Sequence, residues 1–112
     1  MTTTTTTRAL IVCGAGASSG FIAQRMRKAA QERGIDLQVD ARSETELPQL
    51  VSTVDVVLVG PHLAYMLGDL QQQCDTVGID AVLLPQEVYG QLDGERALDI
   101  ALDHAIYEED EA

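Results

Sequence analysis

Two stretches of the sequence, RALIVC at 8–13 and VDVVLVG at 54–60, are almost unbroken apolar runs. A strand with one wet face alternates apolar and polar residues; a strand that does not alternate has both faces covered. Strands of that kind belong to the middle of a parallel sheet, with helices packed above and below. This feature limits the chain to an α/β architecture before any other residue is considered.

The remaining segments fit. From Ser19 to Arg33 the apolar residues Ile22, Met26, Ala29 and Ala30 recur at helical spacing, with Ser18 or Ser19 suited to cap the start and Gly34 the stop. IDLQVDA at 35–41 alternates strictly and predicts an edge strand with one wet face. Ser43 opens a short element in which Glu46 can complete a capping box, and Pro48 keeps that element irregular. After Gly60 and Pro61, a helix sets Leu63, Met66, Leu67, Leu70 and Cys74 on one stripe. DAVLLP at 80–85 is the fourth strand, and a loop through Tyr89 and Gly90 leads to a last helix faced by Leu98, Ala101, Leu102 and Ala105. Asp93 is placed to cap that helix. The order β-α-β-α-β-α-β-α predicts a four-stranded parallel sheet, order 2-1-3-4, in a three-layer α/β/α domain with helices on both faces. Residues 8–107 form the single domain, residues 1–7 a disordered polar tail, and residues 108–112 an acidic tail.

The chain reverses its winding direction between strands 1 and 3, so the ligand crevice falls at the carboxyl ends of those strands. Cys13 ends one of them and Gly60-Pro61 ends the other. The residues after Cys13, GAGASSG at 14–20, hold three glycines and no proline, so every backbone N–H is retained. Such a loop running into a helix N-terminus is an anion cradle, and the same field favours thiolate over thiol. Charge supports this placing. The chain carries 7 Lys+Arg against 18 Asp+Glu, a net charge of −11, yet residues 1–31 contain no acid. That segment is +4, from Arg8, Arg25, Arg27 and Lys28, which leaves −15 for the remainder.

Several functions are set aside. The acidic balance repels nucleic acid and anionic lipid. No apolar run approaches the roughly 20 residues that span a bilayer, and cytoplasm is the expected location. Cys13 and Cys74 match no zinc pattern, His62 and His104 are isolated, and no metal or cofactor is expected. A dinucleotide site wants G-x-G-x-x-G, whereas these glycines are spaced G-x-G-x-x-x-G, although Asp40 at the end of strand 2 could serve as its ribose acid. No Gly-Lys-Ser/Thr follows to make a Walker loop. A buried cysteine at a tight turn would explain Cys13, but neither the three glycines nor the acid-free segment.

A small tyrosine phosphatase or arsenate reductase has a similar cysteine loop and fold. Its loop carries an arginine six residues after the cysteine, where this chain has Ser19, and it uses an Asp-Pro general acid that is missing here. Without the guanidinium the transition state loses a bidentate partner. Hydrolysis would be slow, and a phosphocysteine could persist long enough to be passed on.

Three blocks resemble a known family. IVCGAGASSG fits a C-x-A-G-x-S-[ST] loop, DVVLVGPHLAYML at 55–67 fits the segment after strand 3, and VYGQLDG at 88–94 fits the final loop. Over residues 8–107 the chain looks like the enzyme IIB component of the lactose/cellobiose/chitobiose branch of the bacterial phosphoenolpyruvate-dependent sugar phosphotransferase system. The resemblance implies a phosphotransferase. Cys13 would take a phosphoryl group from a histidine of a phosphorylated IIA protein and pass it to a sugar carried by a membrane IIC permease. Gly14, Ala15, Gly16, Ala17, Ser18, Ser19 and Gly20 would hold the phosphate. Gly14, Ala17 and Gly20 depart from the serine, methionine and hydroxyl residues common there, and His62 from a glutamine. Backbone donors survive the three loop changes. Cys74 reads as core packing, Tyr65 as a core or rim residue, and Arg25, Arg27 and Lys28 as a docking face or a solvated one.

Overall fold

The computed structural model describes residues 6–13 and 18–106. Its sheet is four-stranded and parallel, in the order β2-β1-β3-β4, with β1 Thr7–Cys13, β2 Leu37–Ser43, β3 Val56–Val59 and β4 Asp80–Leu83. The helices are α1 Ser18–Arg33, α2 Leu47–Leu50, α3 Leu67–Asp75, α4 Gln86–Gly90 and α5 Gly94–His104.

The two unbroken runs are the two inner strands, as their composition requires. Every residue of β3 is buried, and in β1 only Arg8 reaches solvent. Alternate residues feed opposite layers. Ala9, Ile11, Val56 and Leu58 pack under α1, α4 and α5, against Ile22, Met26, Val88, Ala97 and Ala101. Leu10, Val12, Val57 and Val59 pack against Leu47, Leu63, Leu70 and Cys74 on the other side. The fold therefore has three layers. Each fully buried Leu or Ile side chain contributes about 1.5–3 kcal/mol, so the two interfaces provide most of the favourable energy.

Differences from the sequence reading are local. β1 starts at Thr7, which is 2% exposed, and the Thr6 hydroxyl donates to Asp36 at 2.6 Å, so ordered structure reaches into the segment expected to be tail. The acidic tail lies outside the described residues. β2 begins and ends two residues later than expected, at Leu37 and Ser43, but its alternation holds and it is an edge strand. The expected loop through Tyr89 and Gly90 is the short helix α4. Pro48 is accepted because it falls at the start of α2, where a missing N–H costs nothing. The box at Ser43 and Glu46 forms: the Ser43 N–H donates to Glu46 Oε2 at 3.3 Å, and the Thr45 N–H donates to Ser43 Oγ.

Two contacts set how the layers meet. Gly94, buried at the start of α5, lies so near α1 that a Cβ there would stand 2.4 Å from Arg25 backbone and side-chain carbons. Further along α1, Arg33 reaches Glu95 at 2.5 Å and Asp99 at 2.7 Å; both acids raise its pKa, Asp99 the more. At the amino end of the sheet Asp55 joins β1 to β3. Its Oδ2 accepts from the Arg8 N–H at 2.8 Å, and its own N–H donates to the Arg8 carbonyl at 2.7 Å.

Candidate functional site

The register fixes what stands at the carboxyl edge of the sheet. Val12 pairs with Val59, so Cys13 is level with Gly60, and Cys13 itself pairs with Ser43. The Gly60 N–H donates to the Val12 carbonyl at 2.9 Å and the Leu84 N–H to the Val59 carbonyl at 2.8 Å, closing the ends of β3 and β4 against their neighbours. By the alternation of the strands, Cys13 and Gly60 face the α1/α4/α5 layer. β1 and β3 lie side by side here while their following helices pack on opposite faces, which makes this the switch point of the sheet.

Cys13 is 3% exposed. Gly60 is extended, at φ −63° and ψ 147°, so a side chain is excluded by space and not by backbone conformation. A Cβ on it would lie 3.3 Å from the Cys13 Cβ and 3.5 Å from Tyr89 Cε1. Tyr89 is buried and projects from α4 over this point. The exposed ring of His62 meets its edge, with centroids 4.9 Å apart and planes at 79°. His62 is thus the exposed second residue of the 3₁₀ segment Pro61–Met66, and its ring packs on Tyr89. Sequence reading missed Tyr89. Its block, VYGQLDG, was read as a loop, and only the folding of α4 over the sheet edge shows where the ring goes.

Of the expected phosphate loop, Gly14, Ala15, Gly16 and Ala17 lie outside the described residues. Ser18, Ser19 and Gly20 are helical, so the loop expected to run to Gly20 gives way to α1 by Ser18. Gly20 does not use a positive φ, and a Cβ there would meet nothing within 4 Å. Its value as a flexible loop residue is therefore not used. Ser18 and Ser19, expected to cap the helix, are the first two residues of α1.

Other candidates fall away from the edge. Asp40 is mid-strand, three places short of the end of β2, and pairs with Arg27 at 3.7 Å, so it is not at the crevice where a ribose would lie. Cys74 is fully buried on α3; burial first, then the charges of Asp75 and Asp80, push its thiol up to about 11. That makes it a packing residue with little thiolate. Neither cysteine is joined in a disulfide. Tyr65, read as core or rim, is 82% exposed. No described helix is long and apolar enough to cross a membrane.

A parallel three-layer α/β domain with a cysteine at its switch point defines a class of small cysteine-centred proteins. Comparison narrows the class: the chain matches the family "PTS system, Lactose/Cellobiose specific IIB subunit" over residues 8–99, and it belongs to that family. It is 28% identical over 93 residues to the galactose-specific EIIB component of Lactococcus lactis subsp. cremoris, covering 79% of this chain and 86% of that protein. It is 30% identical over 92 residues to the lactose-specific EIICB component of Lacticaseibacillus casei, covering 80% of this chain but 16% of that longer protein. The fold matches the lactose-specific IIB domain from Streptococcus pneumoniae with a TM-score of 0.81 at 16% identity, over 89% of this chain and 98% of that one.

Proposed function

We propose that this IIB component carries a phosphoryl group on Cys13, taking it from a phosphohistidine of a IIA protein and delivering it to a sugar held by a membrane IIC component at the cytoplasmic face. In the first step an Sγ–P bond forms as the histidine N–P bond breaks, and the imidazole leaves. In the second a sugar hydroxyl oxygen bonds to phosphorus, its proton departs, and the S–P bond breaks to return the thiolate. Such transfer is mostly positioning and charge stabilisation, so the protein's task is to seat the group.

The observation that carries the reading is the position of Cys13: it ends an inner strand at the switch point, five residues before α1 begins. The first turn of a helix leaves its N–H groups without intrahelical acceptors, and positions 18–20 occupy that turn. Together with the backbone of residues 14–17 they would supply donors to the phosphate, aided by the helix dipole. No acid stands in the first turn of α1 to oppose an anion. The C and B parts joined in one chain in the Lacticaseibacillus casei relative support a IIC partner.

The experiment is incubation with a histidine-phosphorylated IIA protein of the same family, followed by mass spectrometry. The expected result is one phosphoryl group on Cys13, stable over the assay and absent from Cys13→Ser. Rapid release of inorganic phosphate would favour a hydrolase of similar fold, and no transfer would end the carrier reading.

A further inference from the structure

The exposed face of α1 combines three features. Phe21, in the first turn and therefore at the Cys13 end of the sheet, is 55% exposed, although it is the only phenylalanine in the chain. Arg25 and Lys28 follow at i+4 and i+7, and both are exposed, so the three side chains form one ridge about 10 Å long at 1.5 Å per residue. The two cations are also uncommitted. Arg27 and Arg33, on the same helix, are tied to β2 and α5: Arg27 donates to the Val39 carbonyl and pairs with Asp40, and Arg33 holds Glu95 and Asp99. Arg25 and Lys28 make no ion pair among the described residues.

The neighbouring acids have partners of their own or stand further off. Asp93 and Glu95 border the groove beside the ridge, but Asp93 accepts from the Arg96 N–H as the cap of α5 and Glu95 is held by Arg33. Glu32 stands one turn beyond Lys28, at the end away from Cys13.

From this we infer that the Phe21–Arg25–Lys28 ridge is the docking surface for the phosphorylated donor protein. The inference rests on the carrier reading. A donor brings a phosphohistidine with negative charge to a chain that is itself strongly acidic, and like charges slow their encounter. The ridge offers two cations without an ion-pair partner among the described residues, and an apolar anchor at the Cys13 end of the sheet, on the acid-free segment.

The test compares second-order rates of phosphoryl transfer from histidine-phosphorylated IIA protein to the chain, as wild type, Arg25→Gln/Lys28→Gln, Phe21→Ala and Arg8→Glu. The double variant and Arg8→Glu change net charge by the same amount, but Arg8 lies at the opposite end of β1. At low salt we expect about a tenfold loss in the double variant, converging on wild type at high salt. Phe21→Ala should lose about tenfold at both salt concentrations, with unchanged far-UV circular dichroism and urea midpoint. Arg8→Glu should stay within about twofold of wild type. Equal rates in all four proteins would overturn the ridge, as would an equal loss in Arg8→Glu, which would show only a net-charge effect. A loss confined to delivery of phosphate from Cys13 to sugar in vesicles containing IIC would assign the ridge to the acceptor and overturn it too. If the wild-type chain accepts no phosphoryl group, the carrier reading itself fails; if it does while the ridge variants match it, only the ridge fails.

Discussion

Gly60 and Cys13 approach across the ends of β3 and β1 so closely that a methyl group on Gly60 would stand 3.3 Å from the Cys13 Cβ. The same methyl would lie 3.5 Å from the Tyr89 ring. The glycine is thus a spacing device that sets the thiol between a helix start and an aromatic ring.

Gly60→Ala should therefore act on Cys13 more than on the fold. Relief requires the thiol or the ring to shift by a few tenths of an ångström, at a stability cost of about 1 kcal/mol. Misplacement of a reacting atom by about 1 Å can cost on the order of a hundredfold in rate. About a tenfold loss in the rate of phosphoryl transfer to Cys13 is expected for this smaller displacement, with a urea midpoint lowered by no more than about 1 M. An unaltered transfer rate would mean that the Gly60 contact does not position the thiol.

Gly94→Ala should act on the fold. Its Cβ would meet Arg25 backbone at 2.4–2.7 Å, and a backbone cannot rotate away as a side chain can. α5 would have to lift from α1, loosening the contact of Leu98 with Ala29 and Ala30 and the hold of Arg33 on Glu95. The expected loss is about 2–3 kcal/mol, read from urea denaturation. A midpoint equal to wild type would show that the helices separate without cost.

These two glycines also show what could be read from sequence and what could not. RALIVC and VDVVLVG declared themselves inner strands because hydrophobic burial on both faces leaves a mark in consecutive residues. Ser43 and Glu46 declared a cap because that hydrogen bonding is local. The sheet order followed from burial and chain direction. Gly60, Gly94 and Tyr89 matter through neighbours distant in sequence, Cys13 and Arg25 among them, and no local pattern records such an approach. Gly20 misled for the opposite reason. A glycine permits a loop without requiring one, and here the helical hydrogen bonds of α1 prevail.

Asp55→Ala should weaken the sheet at the end away from Cys13. Its carboxylate accepts from the Arg8 N–H at 2.8 Å in a site that is 9% exposed, and alanine would leave that donor without its partner. A hydrogen bond to a charged group contributes about 1.5–3 kcal/mol, and a loss in this range is expected. Asp55→Asn keeps an acceptor and should recover part of it. Transfer to Cys13 at 10 °C should stay within about twofold, because the site is built at the opposite edge. If alanine and asparagine were equally stable to wild type in urea, the anchor would be dispensable.

Cys74 gives the fold a dependence on alkaline pH. Burial, reinforced by Asp75 and Asp80, raises its thiol from 9.0 to about 11, so the folded chain holds this proton more tightly than the unfolded chain does. The resulting stabilisation is complete below the ordinary thiol value, declines as pH rises from about 9, and is gone above about 11. Cys74→Ala removes the titrating group and leaves a small cavity, which costs about 1 kcal/mol at neutral pH. Urea denaturation of both proteins in a Cys13→Ser background isolates the effect from the other thiol. The advantage of wild type over Cys74→Ala should be full at pH 8, fall as pH rises above about 9, and reverse in sign before pH 11. Curves that stay parallel across that interval would mean that Cys74 ionises as readily in the folded chain as in the unfolded one.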